Sequence, residues 1–91
     1  MSAWVRWIRV TALPDEAAPA IDAHLAHVRE LAARGKVRLA GAFPEGDGFL
    51  EILEVADRLE AEALTRESPL VALGLAAWSV RPWTEIDLQV P

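Results

Sequence analysis

Hydrophobic and polar positions alternate from Ala3 to Val10, with Trp4, Arg6, Ile8 and Val10 on one side and Val5, Trp7 and Arg9 on the other. Aromatic and β-branched residues at period two predict a strand. Both of its faces are largely apolar, so it should be covered on both sides. Thr11 to Ala18 reads as a connection punctuated by Pro14 and acidic residues, and Pro19 suits the first turn of a helix, where its missing N–H costs nothing. The period then becomes helical: Ile21, Leu25, Val28, Leu31 and Ala32 form one stripe. That helix should run to Arg34 and stop at Gly35, a glycine cap with a basic residue just inside it. Lys36–Phe43 and Gly48–Val55 are two predicted strands joined by the turn Pro44-Glu45-Gly46-Asp47. Asp57 followed by Glu60 has the form of a capping box and predicts a second helix over about 57–67, amphipathic through Leu59 and Ala63. Pro69 ends it, Gly74 closes a short turn, and Leu75–Arg81 is a last strand stopped by Pro82-Trp83. The tail from Thr84 to Pro91 alternates briefly (Ile86, Leu88, Val90) and could dock as an edge strand or arm.

The element order β-α-β-β-α-β is the split βαβ plan of an α+β, ferredoxin-like fold: a four-stranded antiparallel sheet with two helices on one face. Two helices leave the other face bare, and that face carries Trp and aliphatic residues. Two such sheets packed face to face, as a dimeric α+β barrel, would cover it. Composition points the same way. Ninety-one residues make one domain, 1–91, too short for a large core, and there is no Cys to supplement it with a disulfide. Yet 53% of the residues are apolar and the mean hydropathy is +0.18. A homodimer is the expected outcome.

Charge removes whole classes of function. A net charge of −5, from nine basic and fourteen acidic residues, argues against nucleic acid, which demands a basic face. No apolar run is long enough to span a bilayer. Met1-Ser2-Ala3-Trp4-Val5-Arg6 lacks the basic and long apolar regions of a signal peptide, so a cytoplasmic protein is expected.

His24 lies three residues after Ile21 and four before Val28, on the edge of the helix-1 stripe, where a side chain can look into a pocket. Imidazole titrates near neutrality and suits acid–base work; the plainer reading is a packed histidine bonded to a backbone carbonyl. His27 falls one turn toward the polar side and is expected to face solvent. His24, His27 and Glu30 turn progressively away from one another, so no metal site is expected. Asp22 projects about 160° from His24 around the helix and cannot serve it. Ser68 before Pro69 is a standard N-cap and N1 pair that could also hydrogen-bond His24 or a ligand. It is not a credible nucleophile without an oriented base beside it. Arg6 and Glu51 lie within strands, either as edge residues in water, the preferred reading for Glu51, or as pocket groups paired with each other's charge type. Trp4 and Trp78 could line a pocket for a flat ligand. Gly46-Asp47-Gly48 is a hairpin turn rather than a phosphate loop, and no cofactor is expected.

Short pieces spread along nearly the whole chain carry a resemblance. They are His24-Leu25-Ala26, then Gly35, Leu39-Ala40-Gly41, the Gly48–Val55 strand, Ser68-Pro69-Leu70-Val71, Gly74 and Arg81-Pro82-Trp83. In order and spacing the chain resembles the YCII-related family of dimeric α+β-barrel proteins. The resemblance implies a ferredoxin-like homodimer with a pocket beside helix 1, where a histidine and an aspartate form an acid–base pair. Activity in that family includes a dehydrochlorinase acting on a hydroxyhydroquinone. The histidine carries over onto His24. The aspartate position is Ser68, which can hold an imidazole by a hydrogen bond but brings it no negative charge. The expectation is therefore a cofactor-free lyase, isomerase or cyclase acting on a small cyclic or oxo compound, with His24 as acid–base and Ser68 beside it. Arg6, Trp4, Trp78 and Glu51 would contact substrate. The alternative is a non-catalytic ligand-binding or structural dimer that has lost the pair.

Overall fold

The computed structural model describes residues 1–90; Pro91, the end of the predicted tail, lies outside the described residues. The elements are β1 (Ser2–Val10), α1 (Pro14–Ala33), β2 (Val37–Ala42), β3 (Gly48–Val55), α2 (Arg58–Arg66), α3 (Pro69–Ala72) and β4 (Ala76–Pro82). All strand pairs are antiparallel, in the order β2-β3-β1-β4, so the chain has the ferredoxin-like α+β fold. Among the described residues no helix is long and apolar enough to cross a membrane.

Helix α1 begins at Pro14 rather than Pro19. Pro14 takes the first-turn position, and Asp15 and Glu16 place negative charge at the positive end of the helix. Pro19 sits inside, on the exposed side, where it costs one backbone bond. The helix ends as predicted: Gly35 adopts φ 73°, its N–H reaches the Ala32 carbonyl at 3.0 Å, and Lys36 N–H reaches Leu31 at 2.9 Å. The capping box also forms, with Asp57 accepting from the Glu60 N–H at 3.0 Å and Glu60 accepting from Ala56 N–H at 2.8 Å. Helix α2 presents Ala61, Leu64 and Thr65 to the core, whereas Leu59 and Ala63 are exposed. The buried line of α2 runs through Thr65, a polar residue that bonds the Ala61 carbonyl at 2.7 Å, so hydrophobicity alone points to the wrong face. The tail over 84–90 forms no strand; it is exposed, tied by Arg38 to Glu85 at 2.6 Å.

Alternation along the strands separates two sheet faces. The inner face carries Trp4, Arg6 and Ile8 of β1 opposite Leu53, Glu51 and Phe49 of β3. Its apolar residues form two clusters: Trp4, Leu31, Leu53, Val55, Ala61, Leu64 and Val80, and then Ile8, Ala20, Phe49 and Leu70. The Arg6–Glu51 pair lies between them. Gly48 is required where the strands meet: a Cβ there would press into the Ile8 carbonyl oxygen. The outer face carries no helix, and on it and its rim Trp7 is 48% exposed, Leu39 66%, Phe43 41% and Leu50 39%.

Candidate functional site

The phase of α1 sets the site. The residues it buries are Ala17, Ala20, His24, Val28 and Leu31, whereas Ile21 and Leu25 are only half-buried and Ala32 is exposed. The buried line is therefore turned from the stripe that hydrophobicity alone suggests, and His24 is at its centre rather than its edge. The partner surface explains the turn: the sheet row beneath the helix is the charged pair Arg6–Glu51, which imidazole can satisfy and an aliphatic side chain cannot.

Four side chains, from β1, β3, α1 and the turn before α3, form a continuous buried chain of hydrogen bonds. Arg6 Nε donates to Glu51 Oε1 at 2.6 Å, Glu51 Oε2 lies 2.8 Å from His24 Nε2, and His24 Nδ1 lies 2.7 Å from Ser68 Oγ. Arg6, His24 and Ser68 are fully buried and Glu51 is 1% exposed. The preferred expectation of an edge position in water for Glu51 is overturned, because β3 is a central strand paired on both sides. Arg6 and His24 hold the Glu51 carboxyl below its usual range against the opposing cost of burial, which is the largest single influence on it. An ionised carboxylate only accepts, so His24 Nε2 must carry a proton and donate it to Glu51. The Ser68 hydroxyl has His24 as its hydrogen-bond partner; in the neutral ring, whose one proton is on Nε2, Nδ1 accepts from the Ser68 O–H. Ser68 is thus set against a carboxylate-oriented imidazole, and the negative charge that Ser68 does not bring is supplied from the other side of the ring by Glu51.

His27 is not solvent-facing. It is half-buried, with Nε2 3.4 Å from Arg6 Nη1, and the ring centroids of His24 and His27 are 5.9 Å apart. Arg6 Nη1 also approaches the Leu64 carbonyl at 3.4 Å, and Arg6 Nη2 is buried without a partner among the described residues. Sequence reasoning missed His27 because its place on the polar side of α1 depends on the helix phase. Phe49 packs on His24 with centroids 4.7 Å apart. Trp4 and Trp78 are not brought to this cluster by any hydrogen bond. Trp4 packs in the apolar core with Arg58 4.9 Å over its ring, and Trp78 lies under Arg66 at 5.5 Å.

Burial first, then the nearby Arg6 charge, lowers the His27 pKa from 6.5 to about 4. The folded protein therefore binds fewer protons than the unfolded chain between those values, so stability present above pH 6.5 is lost as pH falls toward 4. Full burial would make this about 3 kcal/mol, and the partial solvent access of His27 reduces it to roughly 1–2 kcal/mol. Below that window, protonation of Glu51 removes more. Urea unfolding at pH 7 and pH 4 should show the loss, and His27→Gln should flatten it. A wild-type midpoint unchanged between the two would contradict this placement of His27.

The family profile of the YCII-related domain matches residues 4–84. A search of curated proteins gives no match. Among solved structures, the chain is similar to 5-chloro-2-hydroxyhydroquinone dehydrochlorinase from Burkholderia phenoliruptrix AC1100, in complex with 2,5-dihydroxybenzoquinone. The two share 20% identity with a TM-score of 0.74, over 90% of this chain and 93% of that one. That likeness is one of fold.

Proposed function

The chain belongs to the YCII-related domain family, and we propose that it is a cytoplasmic, cofactor-free acid–base enzyme of the lyase, isomerase or cyclase kind, acting on a small cyclic or oxo compound. The observation that carries this reading is the His24 imidazole held between Ser68 and Glu51 at 2.7 and 2.8 Å. Here one nitrogen is oriented by an ion-paired carboxylate and the other faces a hydroxyl, which is how a base is set up to take a proton. Proton uptake at Nδ1 would form an imidazolium held against the Glu51 carboxylate. The dehydrochlorinase with the same fold acts on a small ring compound, which supports the substrate class.

A second reading, a non-catalytic ligand-binding dimer, is favoured by one observation: Arg6, His24 and Ser68 have no exposed surface. Incubation with a panel of hydroxylated and oxo ring compounds in deuterated water separates the two. Catalysis of exchange or elimination without added cofactor, lost in His24→Gln, supports the enzyme. Binding without either supports the module.

The working form is proposed to be a homodimer closed over the outer sheet face, where Trp7, Leu39, Phe43 and Leu50 would be covered. Sedimentation at micromolar concentration should give twice the chain mass, and Leu50→Lys should reduce it to the chain mass. A wild-type monomer would exclude the arrangement.

A further inference from the structure

We infer that Glu51 is the member of the buried cluster that a ligand touches, in a pocket between α1 and β2 that admits one neutral six-membered ring bearing a hydrogen-bond donor. This rests on the reading above only in taking the cluster to be where a small molecule binds. The pocket has a volume of 150 Å³ and is walled by Leu25 and Val28 of α1, Ala40 and Ala42 of β2, and Phe49 and Glu51 of β3. His24, Ser68 and Arg6 are not on its wall; they stand behind Glu51.

The sequence makes this space. Ala40 lies opposite Glu51 and Ala42 opposite Phe49 in the β2–β3 register, so the two inward positions of the edge strand that flank the carboxylate both carry only a methyl group. Larger side chains at either position would close the pocket. Its size is close to that of the apolar cavity, about 150 Å³, that holds benzene in an engineered protein core. Glu51 is the one side chain of the wall that is not apolar.

The chemistry of the ligand follows from what Glu51 can still do. One carboxylate oxygen is taken by Arg6 Nε and the other by His24 Nε2, which leaves each with a lone pair and no proton to give. The ligand must therefore supply a donor, a ring hydroxyl or N–H. An anion would meet Glu51 across apolar walls. A cation would lose its hydration there against a carboxylate already neutralised by Arg6. A neutral hydroxylated ring meets every condition, and its donor would sit one carboxylate away from His24.

Titration of the full chain with phenol, toluene and benzoate, followed by amide NMR, tests this. Phenol should shift Ala40, Gly41 and Ala42 saturably. Toluene, of the same shape without the donor, should bind roughly tenfold more weakly or worse, the worth of one hydrogen bond to a charged acceptor. Benzoate should leave these amides unmoved. Ala40→Leu, at a position exposed enough to accept it, should keep the fold and abolish the phenol response. Phenol shifting other residues or none, toluene matching phenol, or Ala40→Leu binding as wild type would each overturn the inference. If phenol fails here while His24→Gln still removes turnover, the pocket assignment falls alone. If phenol binds as expected and no turnover is found, the pocket stands and the catalytic reading falls.

Discussion

Glu51→Leu should lose about 3–5 kcal/mol of folding stability, a large part of the roughly 5–15 kcal/mol a domain has. The cause is not the lost attraction but what it leaves behind. Arg6 is fully buried, and its Nε is held by Glu51 at 2.6 Å. Without that carboxylate a guanidinium would sit between two apolar clusters with only the long contacts of Nη1 to His27 and Leu64. Replacing both charges, in Arg6→Met/Glu51→Leu, should recover most of the loss, since a buried pair seldom outperforms well-packed apolar residues of similar volume. Recovery should stop roughly 1–3 kcal/mol short, because His24 Nε2–H would then lack its acceptor. Urea midpoints for wild type, single and double variants measure all three. A double variant no more stable than Glu51→Leu alone would mean that the pair is not the unit described. A double variant more stable than wild type would show that the cluster is kept at a cost in stability, as a functional site is.

The fold was readable because its signals are local. Alternation in β1, the glycine stop at Gly35, the Asp57–Glu60 box and the Gly48–Val55 strand each depend on a few neighbouring residues, and the structure has each of them. The site was only half readable. Arg6, Glu51, His24 and Ser68 were all named as candidates, and Ser68 was set beside His24, but nothing joined Glu51 to His24, because the contacts span 27 to 45 residues of chain. Nothing in the sequence states that Arg6 faces Glu51 across β1 and β3; that follows from register, which the turns and the hydrophobic pattern of the whole sheet set together. The helix-1 phase failed for a related reason. Counting Ile21 and Leu25 as the stripe assumes an apolar partner surface, and the surface beneath His24 is charged. His27 was misplaced with that phase, and Glu51 because the strand order that makes β3 central is not written in β3 itself. The hydrogen-bonding demands of one buried pair decide where α1 points.

On a substrate that the wild type turns over, His24→Gln should slow the chemical step by roughly 10²–10⁴-fold, the usual contribution of a positioned acid–base group. Glutamine can still donate to Glu51 at the place of His24 Nε2, so the fold and the Arg6–Glu51 pair should survive. What is lost is a group able to gain and release a proton. Ser68→Asp is the informative companion. It would place a second carboxylate near Nδ1, which now lies 2.7 Å from the Ser68 oxygen. With acceptors on both sides, the ring is best satisfied with protons on both nitrogens. Nitrogen-15 NMR should then show the Nδ1 signal of His24 moving toward that of a protonated nitrogen in Ser68→Asp, with His27 little changed. Turnover that begins with proton abstraction by His24 should fall in Ser68→Asp, since the lone pair that accepts the proton is already filled. Unchanged His24 nitrogen shifts on Ser68→Asp would separate the two residues. Undiminished turnover in His24→Gln would move the proton chemistry off His24 altogether, leaving the carboxylate of Glu51 as the group to pursue.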